Sequence, residues 1–453
     1  MELELTCTAL ANGGDGIGRH PDGRVMFLTG ALPNEDVRVT ITQNKKDFAR
    51  ATVTEVLQAS PEREAPSCPE VAMGCGGCGW QHVNLAAQTN FKRTVVVDAL
   101  RRIAKLHRFT DIDADSLVTL APPLPVGGHR TTVRAAIRDG RAGFRRAGSS
   151  DIILVDGCET AHPRLVEIMV GARFTDVDEV TLRYSIRTGK TLLIADPSAQ
   201  GVNLEKVANS RSITVLGADE VEKAPGLNAA GPTSSPGRSV LSADRQAGSG
   251  APGLNAAGSL TVSIDGVDLR VSAGSFFQTR TDGAQQLVRI VSSLVDDERA
   301  AGADLLIDLY GGVGLFAATV GRDFDAVLCV ERSELSASDA EHNLLSHHES
   351  AVVCVDVDRW DAEPYVHERY PVVVADPARA GLGPRGVETL LLCESQVIVL
   401  ISCDAASYGR DTALLAEAGY ELRQSILVDM FPETPHVEIV SKFVRTYIAD
   451  GYS

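Results

Sequence analysis

The sequence lacks any apolar run near the roughly 20 residues that a helix needs to span a bilayer. Its first residues, MELELTCTALANGG, contain neither a basic segment nor an apolar stretch of the kind found in secretory signals. An excess of positive charge is also missing, because 60 Asp and Glu outnumber 43 Lys and Arg and the net charge is −17. This balance argues against a protein that coats nucleic acid through bulk charge. We therefore expect a cytoplasmic protein without membrane spans.

One stretch departs from the acidic average. Residues 85–150 contain twelve Lys and Arg but only five Asp and Glu. A basic surface on one domain is enough to neutralise a few phosphates. A solvated helix face with an edge strand explains the same charges, and charge alone favours that simpler interpretation.

The first 60 residues are typical of a small β-barrel. The segments LELTCTAL, RVMFLTGAL, VRVTIT and FARATVTEVLQ are short and alternating, and turns rich in Gly, Asn and Asp separate them. Several short strands with such turns predict a barrel of the oligonucleotide-binding type, although similar barrels also serve as scaffolding.

The remaining chain divides into two further regions. A Pro-rich link and a Cys/Gly-rich knot precede a predicted helix from Asn84, a plausible N-cap, to about Leu106, and strands follow over about 131–155. From about residue 260, helices alternate with the apolar strands DLLIDLY, AVLCVE, PVVVAD and QVIVLIS, as in a doubly wound parallel sheet. We predict a multidomain α/β protein with an OB-like barrel at 1–60, a central α+β domain at 61–260 and a Rossmann-like domain at 261–453.

Residues 221–259 differ from both neighbouring regions. They are rich in Ala, Gly, Pro and Ser, and the octapeptide APGLNAAG occurs in them twice, at 224–231 and 251–258. We predict a low-complexity surface insertion and assign it no function.

Three cysteines, Cys68, Cys75 and Cys78, lie close together in a C-x6-C-x2-C pattern among glycines, and Cys158 follows a predicted strand. In a reducing compartment such cysteines bind metal or react more often than they form disulfides. Four thiolates without an interleaved His suit an iron–sulfur cluster or tetrahedral zinc, and spacing alone does not separate the two.

The first two strand ends of the C-terminal region carry a typical nucleotide pattern. Gly311, Gly312 and Gly314 follow the first strand and let a ligand approach the backbone closely. The second strand ends at Glu331, where an acid can bind ribose hydroxyls. The turn D-L-Y-G-G-V-G has no GxGxxG, which favours S-adenosylmethionine over a dinucleotide, although many α/β proteins have Gly after a strand.

Later strand ends carry reactive residues. Asp376 and Pro377 end the fourth strand, where open sheets bind ligands, but a structural turn is an equal alternative. Cys403 ends the fifth strand, and a thiolate there can attack an electrophilic carbon. Taken alone, Cys403 is better explained as a small buried hydrophobe. Glu438, in the acidic segment near the C-terminus, is a candidate general base.

Five segments in this order resemble the RNA 5-methyluridine methyltransferases, the bacterial 23S rRNA and tRNA uracil-5 enzymes. They are residues 275–278 (SFFQ), 309–314 (LYGGVG), 376–381 (DPARAG), 402–403 (SC) and 429–438 (DMFPETPHVE). The N-terminal barrel is similar to the TRAM domain of that family. The resemblance covers nearly the whole chain except the insertion at 221–259.

The resemblance implies a class I methyltransferase that methylates C5 of uridine in RNA, with rRNA favoured over tRNA. It implies that Cys403 is the nucleophile and Glu438 the base. It further implies contacts to S-adenosylmethionine from Gln278, Tyr310, Glu331 and Asp376. A [4Fe-4S] cluster on Cys68, Cys75, Cys78 and Cys158 is favoured over zinc. No obligate protein partner is implied, and we expect a monomer.

Two departures from the family pattern motivate alternatives. Asp404 and Ala405 stand where the family usually has Asn-Pro, and Ala378 stands where it often has Pro. We expect a carboxylate at Asp404 to raise the pKa of the neighbouring thiol and slow its attack. The alternatives are a catalytically impaired RNA-binding protein, a tRNA uridine methyltransferase and a cytosine C5 methyltransferase.

Overall fold

The computed structural model describes residues 2–222 and 258–446, in which three large sheets of six, six and eight strands follow one another. The predicted insertion at 221–259 therefore lies outside the described residues except at its two ends. Across the described ranges, no helix is long and apolar enough to cross a membrane.

The N-terminal sheet buries alternate side chains of short strands. Its strands are β1 (Glu2–Thr6), β2 (Ala9–Leu10), β3 (Gly16–Arg19), β4 (Val25–Thr29), β5 (Asp36–Asn44) and β6 (Phe48–Gln58). Met26 and Leu28 of β4 pack with Val37 and Val39 of β5, as the two-residue strand period requires. The strand order β1-β5-β6-β4-β3-β2 leaves β1 and β2 at opposite edges. The predicted barrel is therefore a half-barrel with two open edges.

A mostly helical segment follows the half-barrel. It contains α1 (Pro69–Ala72), α2 (Leu85–Arg102), α3 (Ala114–Leu117) and β7 (Val118–Leu120). The predicted N-cap of α2 is confirmed, because the Asn84 side chain accepts a hydrogen bond from the Ala87 amide at 2.9 Å. Helix α2 stops short of the predicted end near Leu106, where the chain turns through Lys105 with φ of +50°.

The central sheet contains the strands predicted over 131–155. The elements of this region are β8 (Thr132–Arg138), β9 (Arg141–Arg145), β10 (Ile152–Leu154), α4 (Pro163–Gly171), β11 (Arg173–Phe174), β12 (Glu179–Tyr184), β13 (Thr191–Asp196), β14 (Val202–Asn203), β15 (Ile213–Gly217) and α5 (Ala218–Glu222). The sheet order is β10-β9-β8-β12-β13-β15. Leu165 and Ile168 of α4 share one core with Leu182 and Leu193 of the sheet.

The C-terminal region is the predicted doubly wound sheet. Its elements are β16 (Ser259–Ile264), β17 (Val267–Ser272), α6 (Thr281–Ala300), β18 (Leu305–Leu309), α7 (Leu315–Thr319), β19 (Ala326–Glu331), α8 (Glu334–Asn343), β20 (Glu349–Cys354), α9 (Glu363–Val366), β21 (Pro371–Ala375), α10 (Gly383–Leu392), β22 (Val397–Ser402), α11 (Ala405–Glu417), β23 (Tyr420–Leu427) and β24 (Ile439–Arg445). The order is β20-β19-β18-β21-β22-β24-β23-β7. The first five strands in this order are parallel to one another. Every residue of β18, β21 and β22 is buried, because helices cover both faces of a parallel sheet.

Helix α2 and strand β7 precede the central sheet in the chain but pack with the C-terminal one. Helix α2 packs against α11, and β7 pairs in parallel with β23 as the eighth strand. The predicted boundaries at residues 60 and 260 stay a prediction. The crossover at 85–120 nevertheless ties the middle of the chain to the C-terminal sheet.

The Asn84 cap generates a stability prediction. We expect Asn84→Ala to lower the free energy of unfolding by about 1 kcal/mol, because it removes the acceptor of the Ala87 amide. Asn90→Ala in the same helix is the matched control and should change stability by less than about 0.5 kcal/mol. Urea denaturation followed by circular dichroism measures both variants, and equal stabilities would contradict the capping role.

Candidate active site

The carboxyl ends of the parallel strands meet at one edge of the C-terminal sheet, where open α/β sheets bind ligands. A cavity of about 670 Å³ opens at this edge. The six residues with predicted catalytic or cofactor roles all line it: Gln278, Tyr310, Glu331, Asp376, Cys403 and Glu438. Phe276 lies in the same wall and is 68% exposed, so an aromatic ring borders the opening.

The glycine turn after β18 brings backbone to the cavity wall. Tyr310, Gly312 and Gly314 all have positive φ, at +59°, +57° and +78°. The Gly312 amide donates to Glu331 Oε2 at 2.9 Å, so the acid at the end of β19 is fixed against the turn. Three left-handed residues within five positions explain why glycine dominates this segment.

A buried carboxyl, Asp308, supports the turn from below. Its Oδ2 accepts the Ala317 amide of α7 at 2.8 Å, and burial raises its pKa to about 7. Its Oδ1 is buried and has no hydrogen-bond partner in the described part of the chain. Asp308 therefore holds α7 against β18 without lining the cavity.

The Cys403 thiol is half-buried between carboxyl groups. Burial and then the charges of Glu438 and Asp376 raise its pKa to about 11, against the opposing charge of Arg379. Burial also raises the pKa of Asp376 to about 7. Glu438 is held well above its ordinary pKa by burial and then by Asp376. The free site therefore holds a protonated thiol beside carboxyls that retain a proton near neutral pH.

The Asp404 carboxylate does not act on the thiol as we expected. Its Oδ1 accepts the amides of Ala406 and Ser407 at 2.9 and 3.0 Å, which makes it the N-cap of α11. Burial alone would raise the pKa of Asp404, but hydrogen bonds from Ser407, Asn12 and Ala406 leave it below its ordinary value. The charges that raise the Cys403 pKa come from Glu438 and Asp376 instead. Asp and Asn cap helices equally well, so the departure at 404 preserves the cap.

The segment that carries Glu438, residues 429–438, is held by helix α2. Lys92 is fully buried, and its Nζ lies 2.6 Å from Asp429 Oδ1 and 2.9 Å from the Phe431 carbonyl. Gln88 accepts the Glu433 amide at 2.7 Å, and the Trp80 amide donates to the Glu433 carbonyl at 2.9 Å. These bonds fix Glu433 at φ of +65°.

Sequence reasoning missed the part that α2 plays in this site. Gln88 and Lys92 lie four residues apart, on the same side of the helix as the buried Val95 and Val96. Polar side chains on an apolar helix face need buried hydrogen-bond partners. The placement of Gln88 and Lys92 on this face was therefore the sequence signal that α2 holds a polar segment.

Comparison with known proteins places this site in a family. A TRAM domain model matches residues 1–54. The chain is 34% identical to an uncharacterized RNA methyltransferase of Corynebacterium efficiens, over 98% of this chain and 94% of that one. It is 30% identical to the 23S rRNA (uracil(1939)-C(5))-methyltransferase RlmD of Salmonella typhimurium, over 95% and 94%.

The chain belongs to the RNA 5-methyluridine methyltransferase family. It also shares its overall fold with the tRNA (uracil-54, C5)-methyltransferase of Pyrococcus abyssi, solved in complex with S-adenosyl-L-homocysteine. That structure is 23% identical, covers 97% of this chain and 99% of its own, and has a TM-score of 0.65. The resemblance in the ordered motifs is confirmed, as are the TRAM domain and the methyltransferase fold.

The four predicted metal ligands of this methyltransferase line a second cavity. Cys68, Cys75, Cys78 and Cys158 surround a space of about 650 Å³. Burial and neighbouring thiols raise the pKa of Cys75. Burial and neighbouring thiols raise the pKa of Cys78 to about 11, although the charge of Arg130 opposes them. Within residues 2–222 and 258–446, no three Cys, His, Asp or Glu side chains form a group able to hold a single metal ion.

The basic stretch at 85–150 divides between two environments. On α2, Lys92 is buried, and Arg93, Arg101 and Arg102 form ion pairs with nearby aspartates. Four other arginines line the cysteine cavity: Arg130, Arg134, Arg145 and Arg146. Two of these, Arg134 and Arg145, pair in turn with Glu179, which lines the same cavity, so acidic side chains accompany the positive charge in both environments.

The charges around Cys403 predict its reactivity. Below its pKa of about 11, the thiolate fraction, and with it the rate of alkylation by iodoacetamide, should rise about tenfold per pH unit between pH 7 and 9. Arg379→Gln should slow labelling at a given pH by about two- to threefold, because the lost charge favoured the thiolate and was partly screened.

Peptide mass spectrometry measures the labelling of Cys403, and the exposed Cys354 in the same digest is the internal control. Burial and the acids Glu334 and Glu331 raise the pKa of Cys354, so its labelling should not change in Arg379→Gln. Cys403 labelling that is independent of pH, or equal in the two proteins, would contradict this account of the site.

Proposed function

We propose that this protein methylates C5 of a uridine in RNA through a covalent bond between Cys403 and C6 of the base. The observation that carries the proposal is the single cavity that Cys403 and Glu438 share with the glycine turn and Glu331. A nucleophile, a base and a cofactor-binding turn within one cavity are what this reaction needs. The ordered family motifs and the 30% identity to a 23S rRNA uracil-C5 methyltransferase support it.

The residues of the cofactor half suit S-adenosylmethionine. The backbone at Gly311 and Gly312 lines the cavity. Gly311 also packs tightly against β19, since a Cβ there would lie 2.5 Å from the buried Cys329 Sγ. Glu331 offers carboxylate oxygens for ribose hydroxyls, and Gln278, Tyr310 and Asp376 complete the wall. When bound there, the cofactor supplies an electrophilic methyl group.

Cys403 performs the first step on the uracil ring. Its thiolate adds to C6, which pushes electron density to C5 and makes that carbon nucleophilic. Because burial keeps the thiol protonated at rest, the thiol must first give its proton to solvent in the open cavity, and the Arg379 charge favours that loss. A pKa near 11 also means that the idle enzyme is protected from unwanted alkylation.

Glu438 closes the reaction. After C5 has gained the methyl group, it still carries its original proton. Glu438, which holds a proton in the free site, must first release that proton to solvent, and the resulting carboxylate then removes the C5 proton. The electrons of that C–H bond re-form the C5–C6 double bond and expel the Cys403 thiolate. The burial that raises the pKa of Glu438 strengthens it as a base for this step.

The position of Cys403 limits which uridines react. The thiol is half-buried in the cavity, directly after the carboxyl end of β22. The target base must therefore leave its stack to reach the thiol. A loop or single-stranded uridine therefore fits better than a paired one. We favour rRNA over tRNA, because the relative that is 30% identical acts on 23S rRNA, whereas the tRNA enzyme is 23% identical.

Transfer of tritiated methyl groups to rRNA and tRNA pools from a strain lacking this gene tests the proposal, followed by nucleoside mass spectrometry. We expect 5-methyluridine in rRNA. Formation of 5-methylcytidine would show that the target base is cytosine instead of uridine. Labelling of tRNA alone would show that the substrate is tRNA instead of rRNA. RNA binding without any transfer would support the non-catalytic alternative, for which the N-cap role of Asp404 removes the main argument.

Substitution of the two proposed reactive residues should block different steps of the reaction, formation of the covalent adduct and its release. Cys403→Ala should abolish transfer, because no adduct can form. Glu438→Gln should form the adduct and methylate it but fail to release it, so a protein–RNA band carrying the label should persist on a denaturing gel. The double variant is the control and should give no band. Full turnover by Cys403→Ala, or a band in the double variant, would contradict the assigned roles.

We further propose that Cys68, Cys75, Cys78 and Cys158 hold a [4Fe-4S] cluster. Four cysteines and no histidine around one cavity suit iron–sulfur chemistry. We favour the cluster over tetrahedral zinc because the resemblance to the 23S rRNA members of the family implies it. Gly76 allows the wrap, because a Cβ there would lie 3.0 Å from the Ala147 backbone.

Protein purified without oxygen should therefore absorb broadly in the blue and contain about four irons and four sulfides per chain. Cys158→Ser should lose colour and iron, and Cys354→Ser, at an exposed cysteine outside the cavity, should retain both. A colourless wild-type protein containing one zinc would overturn the cluster in favour of the tetrahedral site.

A further inference from the structure

The half-barrel touches the catalytic centre through one loop. This TRAM loop, residues 11–15, joins β2 to β3. The side-chain amide of Asn12 donates to Asp404 Oδ2 at 3.0 Å, across 392 positions of sequence. Asp404 directly follows Cys403 and caps α11 through its other oxygen. One carboxylate therefore joins the TRAM loop to the helix that begins beside the nucleophile.

The same loop contacts the segment that carries Glu438. Gly14 has φ of +90°, and a Cβ there would lie 2.5 Å from Pro435 Cβ and 2.7 Å from Trp80 Nε1. The Trp80 indole donates to the Gly14 carbonyl at 3.4 Å, while the Trp80 amide donates to Glu433. The loop thus packs against residues 433–435 so closely that only glycine fits at position 14.

The TRAM loop is itself held firmly to the half-barrel. The Ala11 amide donates to the Asp15 carbonyl at 2.8 Å and the Gly14 amide to the Ala11 carbonyl at 3.0 Å. The Asp15 carboxylate accepts Thr29 Oγ1 at 2.9 Å and pairs with Arg50 at 2.8 Å. A shift of the half-barrel must therefore move Asn12 and Gly14 with it.

We propose that the TRAM loop positions the catalytic pair: Asn12 orients Asp404 and hence Cys403, and Gly14 sets the segment that ends at Glu438. The half-barrel is then part of the catalytic unit in addition to any role in holding RNA. This inference rests on the proposed methyl transfer. Asn12 does not line the cavity and contacts Asp404, so it is a positioning residue that acts through Asp404.

The contact between Asn12 and Asp404 can be tested by exchanging the hydrogen-bond donor and acceptor between the two positions. Asn12→Asp places a second carboxylate about 3 Å from Asp404 and should displace it through like-charge repulsion. Asp404→Asn keeps the N-cap through its oxygen and can donate through its nitrogen to the Asn12 side-chain oxygen after the Asn12 amide turns. The double variant, Asn12→Asp with Asp404→Asn, again has one charged acceptor and one neutral donor.

Steady-state kinetics on the full-length protein with a methyl-accepting RNA measure the four proteins of this cycle. We expect Asn12→Asp to lower kcat by about tenfold or more while KM for RNA changes little, because misplaced reacting groups slow the chemical step. The double variant should recover kcat to within about threefold of wild type, since the two positions interact directly. Asp404→Asn alone should stay within the same range.

Asn44→Asp is the matched control, because it adds the same charge to the half-barrel at a residue that accepts from Arg24. It should leave kcat unchanged. A raised KM for RNA with normal kcat in Asn12→Asp would overturn the inference in favour of RNA binding alone. Failure of the double variant to recover, or an equal loss in Asn44→Asp, would overturn it as well. Absence of transfer by wild type would instead refute the proposed function, which this design distinguishes.

Discussion

Five parallel strands must end at one edge of the C-terminal sheet, and the active site depends on this constraint. Residues separated by up to about a hundred positions, from Tyr310 to Cys403, become neighbours because each follows a strand that points the same way. The strands are buried on both faces, so their register is strongly specified and their ends are fixed relative to one another. The Cys403 thiol and the glycine turn after β18 therefore face the same cavity because their strands hold them there, without a direct bond between them.

The position of Glu438 is fixed in another way, because this residue precedes the antiparallel β24 instead of following a parallel strand. The long segment before it is fixed from outside the sheet by α2. Lys92 has no exposed surface, so its ammonium depends on Asp429 and the Phe431 carbonyl for the interactions that water would otherwise provide. Breaking such a buried pair by removing one partner typically costs about 3–5 kcal/mol. The position of the base thus depends on a helix that comes early in the chain.

Burial has opposite effects on the two reactive groups. It raises the pKa of the Cys403 thiol, which hinders formation of the nucleophile, and it raises the pKa of Glu438, which strengthens the base. A proton must therefore leave the thiol before it can attack. Asn12 of the half-barrel contacts Asp404 at the start of α11, directly after Cys403.

The sequence by itself predicted the local elements and named the six residues that the structure brings to one cavity. The apolar runs predicted β18, β19, β21 and β22, Asn84 marked the start of α2, and the ordered motifs brought Cys403 and Glu438 together. Local propensity and short motifs carry that information because they depend on neighbours in the chain. Only the tertiary structure decided that Asp404 caps α11, that α2 holds the Glu438 segment and that the TRAM loop reaches Asp404. The cap is local, but the Lys92–Asp429 and Asn12–Asp404 contacts join residues 337 and 392 positions apart. No periodicity or spacing in a single sequence records which distant donor meets which acceptor.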